Sequence, residues 1–344
     1  MASSPLPRDA FVQAFRNVQD RICAFLSEEN GRVYREDPWD FAAASAVPEG
    51  AGGAAAVAAA VASATAGAAA DVGTPGNTGG GITRTWDGGD LLEKGGVGFS
   101  AIHGSSLPPS ASSQLKLPPG TRFFATGVSL VMHPRNPHVP TVHMNVRYFE
   151  AGEAWWFGGG VDITPYYPVE SEVIGFHRSL RDLCAAHGRD HAAMKRACDE
   201  YFFLKHRGEC RGVGGLFFDH LRADRAADFA FVEALGLAFP DLYRPFLAGR
   251  TRPVSEAQRE FQLHRRSRYV EFNLLHDRGT LFGLQSGGRT ESILMSMPPL
   301  ARWEYGYRPA PGSAEERLTE YFLKPRDWAD LPFVAPHTGQ GEMP

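Results

Sequence analysis

Cysteine is scarce in this 344-residue chain: Cys23, Cys184, Cys198 and Cys210 are the four present, with no CxxC pair among them. Such spacing offers neither the disulfide framework of a small secreted scaffold nor a thiolate metal site, so reduced, structural thiols are expected. A basic excess is missing as well. The 35 Lys and Arg stand against 39 Asp and Glu, a formal net charge of −4, which argues against a nucleic-acid surface while leaving local Arg clusters able to bind anions. No stretch supplies about twenty consecutive strongly apolar residues, so no transmembrane segment is expected. The N-terminus lacks a signal-type apolar run, and Asp9 and Asp20 count against a transit peptide. The expected location is cytoplasmic, with a mitochondrial one as the alternative. Between Phe41 and Gly80 every large apolar side chain but Val gives way to Ala and Gly. That composition builds no core and predicts a low-complexity surface insertion.

What remains is 43% hydrophobic and 11% aromatic, enough for a substantial core. Apolar residues three or four apart predict helices over Asp9–Leu26, Glu170–His187, Asp190–His206, Asp224–Phe239 and Ser255–His264. Extended character predicts strands at Ile82–Asp87 and Gly96–His103, joined through the Asp87-Gly88-Gly89-Asp90 turn. It predicts three more at Arg122–Met132, Gly212–Asp219 and Arg268–Leu275, with a Pro/Ser-rich loop over Leu107–Gly120. Strands and helices come in uneven groups, not βαβ repeats. The expectation is an α+β fold with a large, mainly antiparallel β-sheet covered by helices. Residues 1–40 then form an N-terminal helical segment of the domain, 41–80 an insertion, 81–330 one catalytic domain continuous with 1–40, and 331–344 a tail.

The most informative stretch runs from His143 to Tyr167, HMNVRYFEAGEAWWFGGGVDITPYY. Its first half alternates strictly, with Val142, Met144, Val146 and Tyr148 on one side and His143, Asn145 and Arg147 on the other. A period of two is a β-strand with one face for the core and one bearing an imidazole, an amide and a fixed cation. Ser129 and His133 share a face of the preceding strand and can line the same cleft.

The segments HMNVRYFE, WWFGGGVDITPYY, KHRGECRGVGGLFFD, RRSRYVEFNLLHDRGTLFGL, GGRTESILMSMPP and RWEYGY, in this order, resemble those of oxygen-dependent coproporphyrinogen III oxidases. The resemblance covers roughly Gly79 to Trp328. It implies a sheet sandwiched between helices and oxidative decarboxylation of two propionates of a porphyrinogen, with O2 as co-substrate. It implies no organic cofactor and no required metal. His143 takes the proton-donor role by resemblance, and Ser129, Asn145, Val146, Arg147, Gly287, Gly288 and Arg289 the substrate-binding one. His133, His143, His177 and His206 match positions proposed as metal ligands in some family members, yet no local ligand spacing supports a site. A homodimer interface is implied over Tyr269–Glu304.

Such a substrate presents pyrrole N–H donors at its centre and carboxylates at its rim. Asp162, after the glycines, is the expected central acceptor, an ionised carboxylate reached by close backbone approach. The plainer reading is a turn-capping Asp. Arg147 and Arg289 suit the rim carboxylates through bidentate guanidinium forks. Arg266 and Arg268 are weaker choices, since the Arg265, Arg266, Arg268 run also reads as an ion-paired face. Trp155 and Trp156 either exclude water from the site or anchor the core. Two other readings stay open: a non-catalytic tetrapyrrole-binding protein, and a His-metal hydrolase.

Overall fold

Seven antiparallel strands, each hydrogen-bonded to the next along the sheet, carry the architecture. They are β1 (Arg35–Asp40), β2 (Thr78–Trp86), β3 (Leu92–Gly104), β4 (Phe123–Pro134), β5 (Thr141–Ala151), β6 (Ala154–Thr164) and, after a two-stranded hairpin of β7 (Phe203–Leu204) and β8 (Glu209–Cys210), β9 (Gly214–Leu221). This computed structural model describes residues 6–40, 78–107, 116–118, 120–280 and 289–332. Most of the insertion, most of the Pro/Ser-rich loop, Gly287, Gly288 and nearly all of the tail therefore lie outside the described residues. Residues 78–80 do not belong to the insertion: they are the first three residues of β2, all paired with β3, and Gly80 with β1 as well.

One face of the sheet is apolar. Val97, Phe99, Val128, Leu130, Met144, Val146, Val161 and Leu216 are buried there. Against them pack α1 (Arg8–Asn30), α2 (Glu170–Ala186) and α4 (Arg225–Leu237), the last two separated in sequence by α3 (His191–Tyr201). The stripe Phe11, Phe15, Val18, Ile22 and Leu26 is what commits α1 to this layer. Full burial of such a side chain stabilises by about 1.5–3 kcal/mol. Asp9, a plausible N-cap by sequence, lies inside α1, whose N-cap is Pro7 with no side-chain hydrogen bond, whereas Asp190 caps α3 by accepting from Ala193 N–H and Asp224 caps α4 by accepting from the N–H groups of Ala226 and Ala227.

The opposite face is polar and glycine-rich, and the ladder aligns it in rows. One row crosses all seven strands as Arg35, Thr85, Gly96, Val131, His143, Asp162 and Gly215. The next, two residues along, is Asp37, Thr83, Gly98, Ser129, Asn145, Gly160 and Phe217. A period-two side-chain pattern makes both rows share one face. Helix α6 (Glu256–Leu275), preceded by α5 (Phe239–Tyr243), and the short α7 (Thr290–Leu294) lie over it.

Helix α6 overturns one expectation. Arg268–Leu275 is not a strand but the second half of α6, whose start is fixed by a capping box between Ser255 and Gln258. Val270, Phe272 and Leu274 alternate by composition, yet Phe272 is buried and Leu274 is 40% exposed. Burial instead follows helical spacing through Phe261, Arg265, Tyr269 and Phe272. Its arginines go inside because they are paired, Arg266 with Glu93 and Arg265 with Glu209.

Candidate active site

Where the first row meets α6, the sheet face opens into a cleft lined by Ser129, Val131, His143, Phe202, Arg211 and Tyr269, then Asn273, Asp277, Thr280 and residues 292–296 in part. Tyr269, Asn273 and Asp277 stand four residues apart and so project from one side of the helix and its end. His143 projects from β5 because the strand alternates, and its ring meets Phe202 edge-on.

Behind His143 sits Asp162, brought alongside by the β5–β6 register. The imidazole Nδ1 is 2.9 Å from Asp162 Oδ1. A carboxylate only accepts, so Nδ1 carries the hydrogen and Nε2 is the nitrogen left for the cleft. Arg211 donates to both oxygens of the same carboxylate and, from Nη1, to Asn273 Oδ1 at 3.1 Å. Its guanidinium is enclosed by the rings of Phe202, Tyr269 and Phe272, 4.0 to 4.7 Å from their centroids. Burial pushes the Asp162 carboxyl up, but the Arg211 charge and the His143 hydrogen bond outweigh it and hold the group below its usual range. Asp162 is thus a buried, ionised pivot behind His143 and Arg211, and is not among the residues that line the cleft.

The carboxylate that lines the cleft directly is Asp277. Its Oδ1 accepts from the Tyr201 hydroxyl at 2.9 Å and its Oδ2 from Thr280 N–H and Oγ–H. Neither Arg211 nor Asp277 stood out in the sequence. Both lie within the quoted segments KHRGECRGVGGLFFD and RRSRYVEFNLLHDRGTLFGL, but nothing in local spacing separates Arg211 from Arg207, or Asp277 from a helix-terminal Asp.

The remaining expected residues divide. Arg147 lies flat over Gly158, where a Cβ would come within 2.6 Å of its Nη2. It donates to Asn145 Oδ1 at 2.7 Å and to Asp219 Oδ1 at 3.1 Å, on the same sheet face but one pair beyond Ser129 and Asn145. Burial lowers its pKa against the Asp219 charge. Arg289 is ion-paired with Asp37 at the β1 edge, away from Arg147, so the two rim cations stand at different ends of the face. Val146 points into the apolar core and is fully buried, which removes its side chain from the group. Arg266 and Arg268 are engaged by Glu93 and Glu271. Trp156 is buried in a small cluster with Phe149 and Leu107, and Trp155 packs against the main core; neither lines the cleft.

The four histidines matching metal positions do not converge. His133 is held between the Ser296 carbonyl and Thr141 Oγ1, and His177 by the Val213 carbonyl. His206 contacts Glu271 and His276. Among the described residues no group of three His, Cys, Asp or Glu is arranged to hold a metal ion.

The sequence is similar to those of known proteins. The family model described as coproporphyrinogen III oxidase matches residues 65–328. A curated relative from Dictyostelium discoideum, an oxygen-dependent coproporphyrinogen-III oxidase, is 46% identical over 353 residues, covering 95% of this chain and 96% of the relative. Among the described residues no helix is long and apolar enough to cross a membrane.

Proposed function

Since the chain belongs to the coproporphyrinogen III oxidase family, we propose that the His143 cleft oxidatively decarboxylates two propionates of coproporphyrinogen III to vinyl groups, giving protoporphyrinogen IX for haem and porphyrin synthesis. The observation that carries the site assignment is the Arg211–Asp162–His143 chain ending at the cleft.

Each propionate loses carbon dioxide and two hydrogens, and dioxygen takes up the two electrons and two protons as peroxide. The macrocycle is itself the reductant, so neither an organic cofactor nor a metal is assigned a step. Asp277 accepts from a pyrrole N–H, since it lines the cleft and keeps about one acceptor position beyond Tyr201 and the two Thr280 donors. Electron density rises at the attached carbon, where oxygen reacts. His143 exchanges the proton through Nε2, and Asp162 fixes its tautomer while Arg211 fixes Asp162. Asp162 is on this reading a positioning residue, not the central clasp. Arg147 and Arg289 take outer carboxylates, together with Ser129, Asn145 and Gly287–Gly288.

A homodimer is part of the proposal. Leu274, Leu275, Leu300 and Trp303 are 40 to 58% exposed within the stretch Tyr269–Glu304, an apolar set that suits a covered surface. A cytoplasmic location is the other part, checked by fractionation.

Purified protein supplied with coproporphyrinogen III in air, without nicotinamide or added metal, should form protoporphyrinogen IX with matching oxygen uptake. Tight binding of the porphyrinogen with no product would favour the tetrapyrrole carrier instead.

A further inference from the structure

The polar face does not end at the His143 cleft. A second chamber lies over β1 to β3, lined by the cations Arg35 and Lys94, the carboxylates Asp37, Asp87 and Glu291, and Thr83, among others. Ser292 and Met295 line both chambers. Met295 rests where glycine leaves room: a Cβ on Gly96 would stand 2.6 Å from its sulfur, and one on Gly98 3.5 Å from its methyl carbon. These glycines belong to the rows that carry His143 and Ser129. The two chambers therefore adjoin across Ser292, whose hydroxyl is 3.3 Å from Thr83 Oγ1, and across the unbranched, readily rearranged side chain of Met295.

Lys94 stands at the far side of that crossing, on β3 opposite His133. Its ammonium makes one hydrogen bond among the described residues, to the Leu294 carbonyl at 3.3 Å. Among the described residues its other two N–H donors meet no acceptor. Burial pulls its pKa down, and the charges of Asp87 and Glu291 oppose this from beyond ion-pair distance. A partly dehydrated cation whose partner is one neutral carbonyl gains most from an anionic acceptor. Nearby Asp37 is already held by Arg289, and Arg35 is an exposed second cation on the chamber wall.

We infer that Lys94 binds an outer carboxylate of the macrocyclic substrate in this second chamber, reached when Met295 turns aside from Gly96. The inference rests on a tetracarboxylate porphyrinogen occupying the His143 cleft; it adds a residue that fixes how the ring is placed there.

The test is equilibrium binding of coproporphyrin III, the stable oxidised macrocycle, followed by porphyrin fluorescence anisotropy. Lys94→Met should weaken binding about tenfold and flatten its dependence on salt, while Lys94→Arg should recover affinity to within about threefold. Thermal melts show that each variant is folded, and Lys94→Gln replaces Lys94→Met if the latter melts early. Unchanged affinity in a folded Lys94→Met or Lys94→Gln protein, or no recovery with Lys94→Arg, overturns the inference. Because binding needs no turnover, wild type that binds but makes no protoporphyrinogen IX refutes the oxidase reading separately.

Discussion

Arg211 Nη2 donates to both oxygens of Asp162, at 2.9 and 2.8 Å, with each side chain 2% exposed and the two residues 49 apart in sequence. Removing one member of such a pair leaves the other charged and dry, at a cost of about 3–5 kcal/mol. Asp162→Ala and Arg211→Ala should each lower stability by that order in urea titrations. The double variant Asp162→Leu with Arg211→Met should regain much of it while staying inactive. A stable Asp162→Ala protein would show that the pair is not a structural unit.

His143 is 19% exposed at its side chain and reaches the cleft. His143→Gln should therefore leave the urea midpoint nearly unchanged and lower kcat about 10²- to 10⁴-fold, the usual range for loss of a general acid or base. Oxygen uptake under saturating porphyrinogen measures it. A variant within threefold of wild type would assign the proton to another group.

His133 should make the protein acid-sensitive. Burial, reinforced by the Arg266 charge, lowers its pKa from 6.5 to about 3. Between those values the unfolded chain binds a proton that the folded one refuses, so stability falls on acidification from pH 6.5 towards 3 by about 1.4 kcal/mol per pH unit. Above pH 6.5 the residue contributes no slope. His133→Gln should be less stable at pH 7 but lose less on going to pH 5 than wild type does. Equal losses would show that His133 is protonated in the native state.

Gly158 leaves the space in which Arg147 lies, and Arg147 cannot retreat without releasing Asn145 and Asp219. Gly158→Ala should destabilise by about 1–3 kcal/mol and raise KM. Gly175, inside α2 with open space at its Cβ position, is the contrast: Gly175→Ala should stabilise by about 0.5–1 kcal/mol. Similar melts for the two variants would remove the packing argument.

Trp303 is held to Glu271 by its indole N–H at 3.0 Å yet is 55% exposed, and Leu275 is 58% exposed. Small-angle scattering should give a dimer for wild type and a monomer for the variant carrying Leu275→Glu and Trp303→Glu. A monomer at all concentrations in wild type would end the dimer proposal.

Sequence alone determined that β5 is a strand with one polar face, because a side-chain period of two is a local property: once His143, Asn145 and Arg147 alternate with Met144 and Val146, one face must be polar. It also determined α1, whose apolar stripe from Phe11 to Leu26 depends on neighbours three or four residues away. The α+β class followed from the uneven order of elements. Only the tertiary structure decided that Arg268–Leu275 is helical, since its alternation fits a strand and only burial beneath the sheet face, with Arg265 and Arg266 paired to distant carboxylates, selects the helix. It alone decided that Asp162 faces Arg211 and His143 rather than an open cavity, and that Asp277 is the carboxylate at the cleft. A buried charge is defined by its partner, and which partner it meets depends on strand register and helix docking across dozens of residues, information that no local spacing contains.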